Sequence, residues 1–381
     1  MNKPFDAIVI GAGAMGSAAA YYLSARGERV LLLEQFELDH RMGSSYGYSR
    51  IIRYTYHDLE YVELMKDTLP LWLALEEELG ETLYFKTGGI DFGPRIDERM
   101  QATIKSVAKG AISHELISGE VARERFPQFQ FPDDFIVLYQ PDSGFIAASQ
   151  ALRGHIKLAR RLGAVVKARS PVEDIRIGSD NVEVAAAGVN YSAGRLIVTA
   201  GSWAKTLLGK TGLDLPLTIL RCQLNFMAPD DLRPFTAERC PVWIAHVSGQ
   251  YPESVYGIPS HDGSGFKIAF HGGPAVARHA DIDYSADASN LEALRPFMRA
   301  HIPGIAAAPA RERRICLYTA TPDEHFIVDA HPEHAHVAIG AGFSGHGFKF
   351  STMIGKMLAD IALDGGTPHN DRLFKISRFP S

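Results

Sequence analysis

The segment DAIVIGAGAMGSAAAYYLSARGERVLLLE, residues 6–34, carries two short runs without a polar position, 7–10 and 30–33, on either side of a stretch of small residues. Apolar runs of four bounded by turn signals fit strands buried on both faces, as in a parallel sheet. The stretch between them keeps a helical pattern up to Gly27, a C-terminal stop signal. One βαβ unit is predicted. Its turn holds Gly11, Gly13 and Gly16 in GxGxxG spacing, and Glu34 closes the second strand. In such a turn the first glycine makes the tight bend, the second admits a pyrophosphate against the backbone, and the third lets helix and strand approach. The helix N-terminus adds free N–H groups and a positive dipole end. Dinucleotide binding follows; Glu34 fits a ribose hydroxyl and repels a 2′-phosphate, which disfavours NADP. The uncharged run 7–25 behind Lys3 imitates a signal peptide or membrane span in hydropathy, but its glycines weaken a continuous helix and favour the turn.

Three later segments repeat the pattern. Residues 150–168 read as an amphipathic helix feeding a strand, and 195–208 as strand, glycine turn and helix. Residues 336–365 do the same around GAGFSGHGFKF. Residues 84–149 and 216–316 read instead as alternating strands and loops, richer in proline. The expected fold is α/β with α+β character. A Rossmann-like nucleotide domain is built from 1–83, 150–215 and 317–381, and a sheet-rich substrate domain of 84–149 and 216–316 is inserted between them. A chain of 381 residues exceeds the usual size of one core, in keeping with two domains.

Composition narrows the partners. With 39 basic and 44 acidic side chains the formal charge is −5, which gives no broad attraction for nucleic acid or anionic lipid. Cys222, Cys240 and Cys316 are too few and too scattered for a disulfide framework or a zinc site, and point to a reducing compartment such as the cytoplasm. The ending RFPS is not the SKL signal of peroxisomal import. Cys316 stands out because Arg313 and Arg314 precede it. Fixed positive charge favours a thiolate, whereas most lone cysteines are small buried hydrophobes. No resolving partner lies near it in sequence, which counts against a redox sensor.

With the glycine turn, GSSYGYSRIIRYTY at 43–56, PDSGF at 141–145, ICLYTATPDEHFIVD at 315–329 and SGHGFKF at 344–350, the chain resembles the monomeric sarcosine oxidase and N-methyltryptophan oxidase family of flavoproteins over nearly its whole length. The resemblance implies FAD, attached covalently through the flavin 8α position to Cys316. It also implies oxidation of a secondary amino acid, sarcosine or another N-methyl amino acid, to an imine that hydrolyses, with O2 reduced to H2O2. A monomer working on a small molecule is expected. The flavin would do the electronic work while the protein supplies position and charge.

By the same resemblance Arg53 and Lys349 clamp the substrate carboxylate, and Lys267 promotes oxygen reduction by stabilising developing negative charge. Arg50 lies near the flavin ring, where its charge favours the anionic reduced form. Tyr256, Tyr318 and His346 line the substrate pocket, with His271 and Tyr46 beside the chemistry. Met15, Ser44, Gly201, Trp203, Gly342, Gly345, Gly347 and Phe348 join Gly11, Gly13, Gly16, Glu34, Arg50, Cys316 and Lys349 around the cofactor. Two departures stand out. The family's GSHHGDTR is GSSYGYSR here, so Tyr46 replaces a histidine and Tyr48 an acid. The loop 240–256 matches poorly and is expected to carry the wall that sets substrate size, through Trp243 or Ile244.

Other signals lead elsewhere. GSSYG fits the GxSxG elbow of hydrolases, but EQFELDHRM before it is no apolar strand. HPEHAH at 331–336 suggests a metal but reads better as a polar turn between strands. Two rival functions remain open: an FAD-dependent dehydrogenase of a cyclic imino acid such as proline or pipecolate with a non-oxygen acceptor, and a non-catalytic nucleotide-binding sensor.

Overall fold

The computed structural model describes residues 5–247, 249–369 and 372–379. Lys3, Ser248 of the 240–256 loop, and Pro380 and Ser381 of the RFPS ending lie outside the described residues. The predicted unit is present as β1 (Phe5–Ile10), α1 (Ala14–Ala25) and β2 (Val30–Leu33), with β1 and β2 parallel and Val9 opposite Leu32. Residues 7–25 are therefore strand, turn and helix, and no described helix is long and apolar enough to cross a membrane.

Strands Val165–Lys167, Val189–Val198 and His334–Ala341 extend the parallel core. The antiparallel strands Val172–Ile177, Val182–Ala186 and Ile327–His331 complete an eight-stranded sheet. Alternation along β1 sends Ala7 and Val9 into one hydrophobic cluster and Ile8 and Ile10 into the other, which explains why no polar position survives there. Helices α1, Ala148–Arg161 and Ser351–Asp364 cover one face. α1 and the last helix approach through small residues: a Cβ on Gly355 would stand 2.4 Å from that of Ala18.

The two proline-richer segments share one nine-stranded sheet, joined where Gly89–Pro94 pairs in parallel with Val242–Ala245. Its faces differ in kind. Phe92, Trp243, Phe266, Ile268 and Phe270 pack with helix Ala288–His301 as an apolar core. Register and the two-residue period put Asp91, Ile244, Tyr256, Lys267, Cys316 and Tyr318 on the opposite face. A small sheet of Ser49–Ile52, Gly144–Ala147 and Tyr84–Lys86 completes the strands of the fold.

Three helices depart from the strand-and-loop reading of these segments: Glu98–Lys109, Gly119–Arg125 and Ala288–His301. Each starts at a polar residue, Asp97, Ser118 or Asp287, whose side chain accepts a backbone N–H of the first turn. The residues that cap them are those that mark turns, so in sequence the helices merge with loops. The boundary drawn after Cys316 falls inside strand Ala310–Ala320. Within HPEHAH only Pro332 and Glu333 form the tight turn; its other residues end strand Ile327–His331 or begin His334–Ala341. No strand immediately precedes Ser45.

Candidate active site

A cleft of about 480 Å³ runs from the glycine turn to the polar face of the nine-stranded sheet. At its nucleotide end Gly11 has φ +97°, and a Cβ there would stand 2.5 Å from the Thr199 carbonyl oxygen. Gly13 is the N-cap of α1 and supplies no side-chain cap; the first turn carries no acid. The Ala14 N–H reaches the Ser45 hydroxyl at 2.9 Å. A turn of this shape presents backbone N–H groups and a helix dipole to an anion. Gly16 lies behind the cleft and acts by packing, since a Cβ on it would meet the Gly11 carbonyl oxygen at 1.9 Å.

Glu34 is buried and accepts the Ala12 N–H at 2.9 Å and the Phe36 N–H at 3.0 Å, with His40 at 3.4 Å. Burial alone would raise its pKa, but His40 and the backbone N–H groups outweigh it and hold the carboxyl below its usual range. It is charged and fixed, as discrimination against a 2′-phosphate requires. Met15, Gly201 and Trp203 line the same end.

The far end collects cations. Lys267 is buried and donates to the Ser49 carbonyl at 3.3 Å; its ammonium lies 5.5 Å from the centre of the Tyr256 ring. Burial, then the charges of Arg50 and Arg314, push it well below the usual lysine range. Arg50 donates to the carbonyls of Ser44, Tyr46 and Ser49, and Phe348 lies under its guanidinium at 5.5 Å. Lys349, also buried, donates to the Tyr56 hydroxyl and the His346 carbonyl, both at 2.8 Å, and burial followed by Arg53 depresses it strongly. Arg53 stacks on the same Tyr56 ring at 4.4 Å. Among the described residues Lys267, Arg50 and Lys349 have no carboxylate within ion-pair distance. Buried or half-buried cations satisfied only by neutral oxygens favour an incoming anion.

The remaining residues fall around them. Tyr256 and Tyr318 hydroxyls lie 3.4 Å apart, and the His271 ring lies 5.5 Å from Tyr318. Burial, then Arg99, Lys349 and Arg53, lower His271 to about 3; burial and Lys349 push His346 well below its usual value, so both are neutral at neutral pH. The turn leading into and through SGHG bends at left-handed Gly342 (φ +62°), Ser344 (+46°) and Gly345 (+78°). A Cβ on Gly345 would strike the Tyr318 ring at 2.2 Å, and one on Gly347 the Phe343 side chain at 2.6 Å. Ser44 donates to the Leu317 carbonyl, one residue from Cys316.

Cys316 lines the cleft and is 5% exposed. Of the two preceding arginines, Arg314 is buried and Arg313 exposed. Arg314 stacks over Tyr46 at 4.6 Å and Tyr48 at 4.8 Å and pairs with Glu312 at 2.6 Å. Arg41 approaches Tyr46 as well and donates to its hydroxyl at 3.0 Å. Cys222, distant in sequence, stands directly opposite Cys316 across the strand pair, a thiol neighbour that the local sequence did not reveal.

Two expectations need correction or completion. Trp243 is fully buried in the apolar core against Phe266 and Phe297, because alternation turns it away from the cleft; Ile244, the next residue, lines it. Tyr56, Thr55, Arg99 and His246 also line the cleft and were not singled out. Tyr56 and Thr55 stand inside the quoted 43–56 segment, next to Arg53.

Residues 6–361 match the FAD dependent oxidoreductase family, to which the chain belongs, and a nucleotide turn joined to a cation-lined pocket accords with that class. The chain is 37% identical to the monomeric sarcosine oxidase of Bacillus sp. (strain B-0618), over 99% of this chain and 97% of that protein. Human peroxisomal sarcosine oxidase is 36% identical over 99% and 97% of the two chains, and the N-methyl-L-tryptophan oxidase of Yersinia pestis 32% over 98% and 99%. L-Proline dehydrogenase from P. horikoshii shares the fold, with TM-score 0.87, 22% identity and coverage of 100% and 98%.

Proposed function

We propose that this FAD-dependent enzyme is an oxidase of secondary amino acids, sarcosine or another N-methyl amino acid, and that O2 is its electron acceptor. The observation that carries the reading is the convergence of Arg53 and Lys349 on Tyr56, in the same cleft as Lys267. When bound, FAD would supply a two-electron acceptor for oxidation at the carbon beside the amine, with O2 as the final acceptor and H2O2 as the product. The rest falls to the chain.

Arg53 and Lys349 bind the substrate carboxylate and so fix the reacting carbon in place. Burial has depressed Lys349 and Lys267, so each gains most from an anion brought beside it. Lys267 stabilises the negative charge that develops as oxygen is reduced. Neutral His271, with Tyr256 and Tyr318, encloses the amine without adding a further cation that would oppose its approach. Arg50, held by three carbonyls, supplies fixed positive charge near the ring. The cofactor is held by the glycine turn, Met15, Glu34, Ser44, Gly201, Trp203, Gly342, Gly345, Gly347 and Phe348, with Tyr46 near the ring.

Cys316 is the attachment point for a covalent flavin, a reading supported by its place on the cleft with Arg314 turned inward on the same strand face. The segments 1–83, 150–215 and 317–381 act as the FAD domain, and 84–149 with 216–316 as the substrate domain. The protein works as a monomer, and three free cysteines accord with a reducing cytoplasm.

An anaerobic titration of the purified protein with sarcosine, N-methyltryptophan, proline and pipecolate tests this. Bleaching of flavin absorbance by an N-methyl amino acid, with recovery and peroxide in air, is expected. Bleaching by proline or pipecolate without peroxide would make it a dehydrogenase, and no bleaching by any of them would remove the substrate assignment.

A further inference from the structure

Arg53 has a carboxylate close by that it does not bond. Asp91, 3% exposed on strand Gly89–Pro94, lies 3.9 Å from Arg53 Nη1, well beyond hydrogen-bonding distance for a charge-assisted pair. Thr55 stands between them. Its hydroxyl accepts from Arg53 Nη1 at 3.2 Å and donates to Asp91 Oδ2 at 2.6 Å. Asp91 Oδ1 is taken by His246 Nε2 at 2.9 Å, which fixes the carboxylate from its other side. Thr55 is 1% exposed and His246 5%, so the arrangement is locked by packing.

A half-buried guanidinium beside a buried carboxylate should close into a direct pair, because at reduced effective dielectric contact is worth more than a gap. The hydroxyl prevents it by satisfying both partners at once. We infer that Thr55 is a positioning residue that holds the Arg53–Asp91 ion pair open, leaving the guanidinium turned to the cleft for the substrate carboxylate. The inference rests on the proposed role of Arg53. It gives Asp91 a second part. A fixed anion behind the clamp opposes the substrate's own carboxylate and so limits how tightly substrate and product are held. The spacer and the counter-ion therefore act in opposite directions on affinity.

That opposition supplies the test. The holoenzyme is titrated with methoxyacetate, a carboxylate carrying an ether in place of the amine, and Kd is read from the flavin absorbance change, alongside KM and kcat for the oxidised substrate. Thr55→Val lets Arg53 close onto Asp91, so Kd and KM are expected to rise about tenfold or more with kcat within about threefold. Thr55→Ser retains the hydroxyl and is expected to stay within about threefold of wild type in Kd. Asp91→Asn removes the competing charge, so Kd is expected to stay level or fall by a few-fold. The double variant Thr55→Val with Asp91→Asn then recovers the binding lost by Thr55→Val alone. A simple packing role would not produce that rescue.

Equal Kd in Thr55→Val and wild type would overturn the inference and leave the proposed function standing, as would a double variant no better than Thr55→Val. Failure of the wild-type protein to bind methoxyacetate would remove the carboxylate role of Arg53, and this inference with it. Should Thr55→Val lose its flavin or fold, Asp91→Asn decides: a large loss of carboxylate affinity there contradicts the counter-ion role.

Discussion

The two large sheets meet the cleft in different ways. The eight-stranded sheet offers it strand ends and a glycine turn, where backbone shape and helix polarity make the contacts. The nine-stranded sheet offers a face, on which side chains from separated strands stand next to one another. A site made of backbone tolerates no added atoms, whereas a site made of side chains tolerates exchange of one function at a time. The cofactor end should therefore fail as a whole and the substrate end in parts.

Gly16→Val is the largest blow to that contrast. Its Cβ has no room beside the Gly11 carbonyl, so the purified protein is expected to lose FAD almost entirely, as measured by flavin absorbance per chain. Full flavin occupancy would show that the turn is not the rigid cradle described. Next, Lys267→Met is expected to keep its flavin but to slow air reoxidation of the reduced enzyme by about two to three orders of magnitude in stopped flow. A normal rate would exclude the role. Arg53→Met should raise KM about a hundredfold through loss of a partly desolvated charged contact, with the flavin spectrum little changed. If kcat fell instead and KM held, Arg53 would serve the chemistry rather than the clamp.

The smallest effect is on stability, away from the cleft's chemistry. Burial lowers His155 to about 3, and among the described residues its Nε2 has no hydrogen-bond partner. Between that value and the ordinary histidine pKa only the unfolded chain takes the proton, so stability is lost as pH falls through this window. At pH 4.5 the loss from one such group is about 2 to 3 kcal/mol. His155→Leu should show a shallower fall in urea-unfolding free energy between pH 7 and 4.5. An unchanged slope would mean that His155 is not the group responsible.

The same contrast decides what could be read in the sequence. Parallel strands such as Ala7–Ile10 of β1 are apolar on both faces, and the glycines follow one another within six residues, so the cofactor end is a local pattern. The substrate end is not. Asp91 and His246 meet only through a pairing across about 150 residues, and Cys222 meets Cys316 across some 90. Arg53 and Lys349 were reachable only through resemblance. One local sign was available: Asp91 interrupts the apolar run of a buried strand between Ile90 and Phe92, and such an interruption marks a face with other duties. The capped helices of the inserted segments were hidden for the opposite reason, since their starts use turn residues.

The discontinuous eight-stranded sheet also imposes a schedule. β1 is made first, but its parallel neighbour Val189–Val198 and the SGHG turn come roughly 190 and 340 residues later. At ribosomal rates of about 5 to 20 residues per second, the first strand waits on the order of twenty to seventy seconds before the last wall of the cleft exists. Cofactor capture thus belongs to the finished chain, and through that interval the apolar β1 and β2 depend on partial pairing or on chaperones to stay out of aggregates.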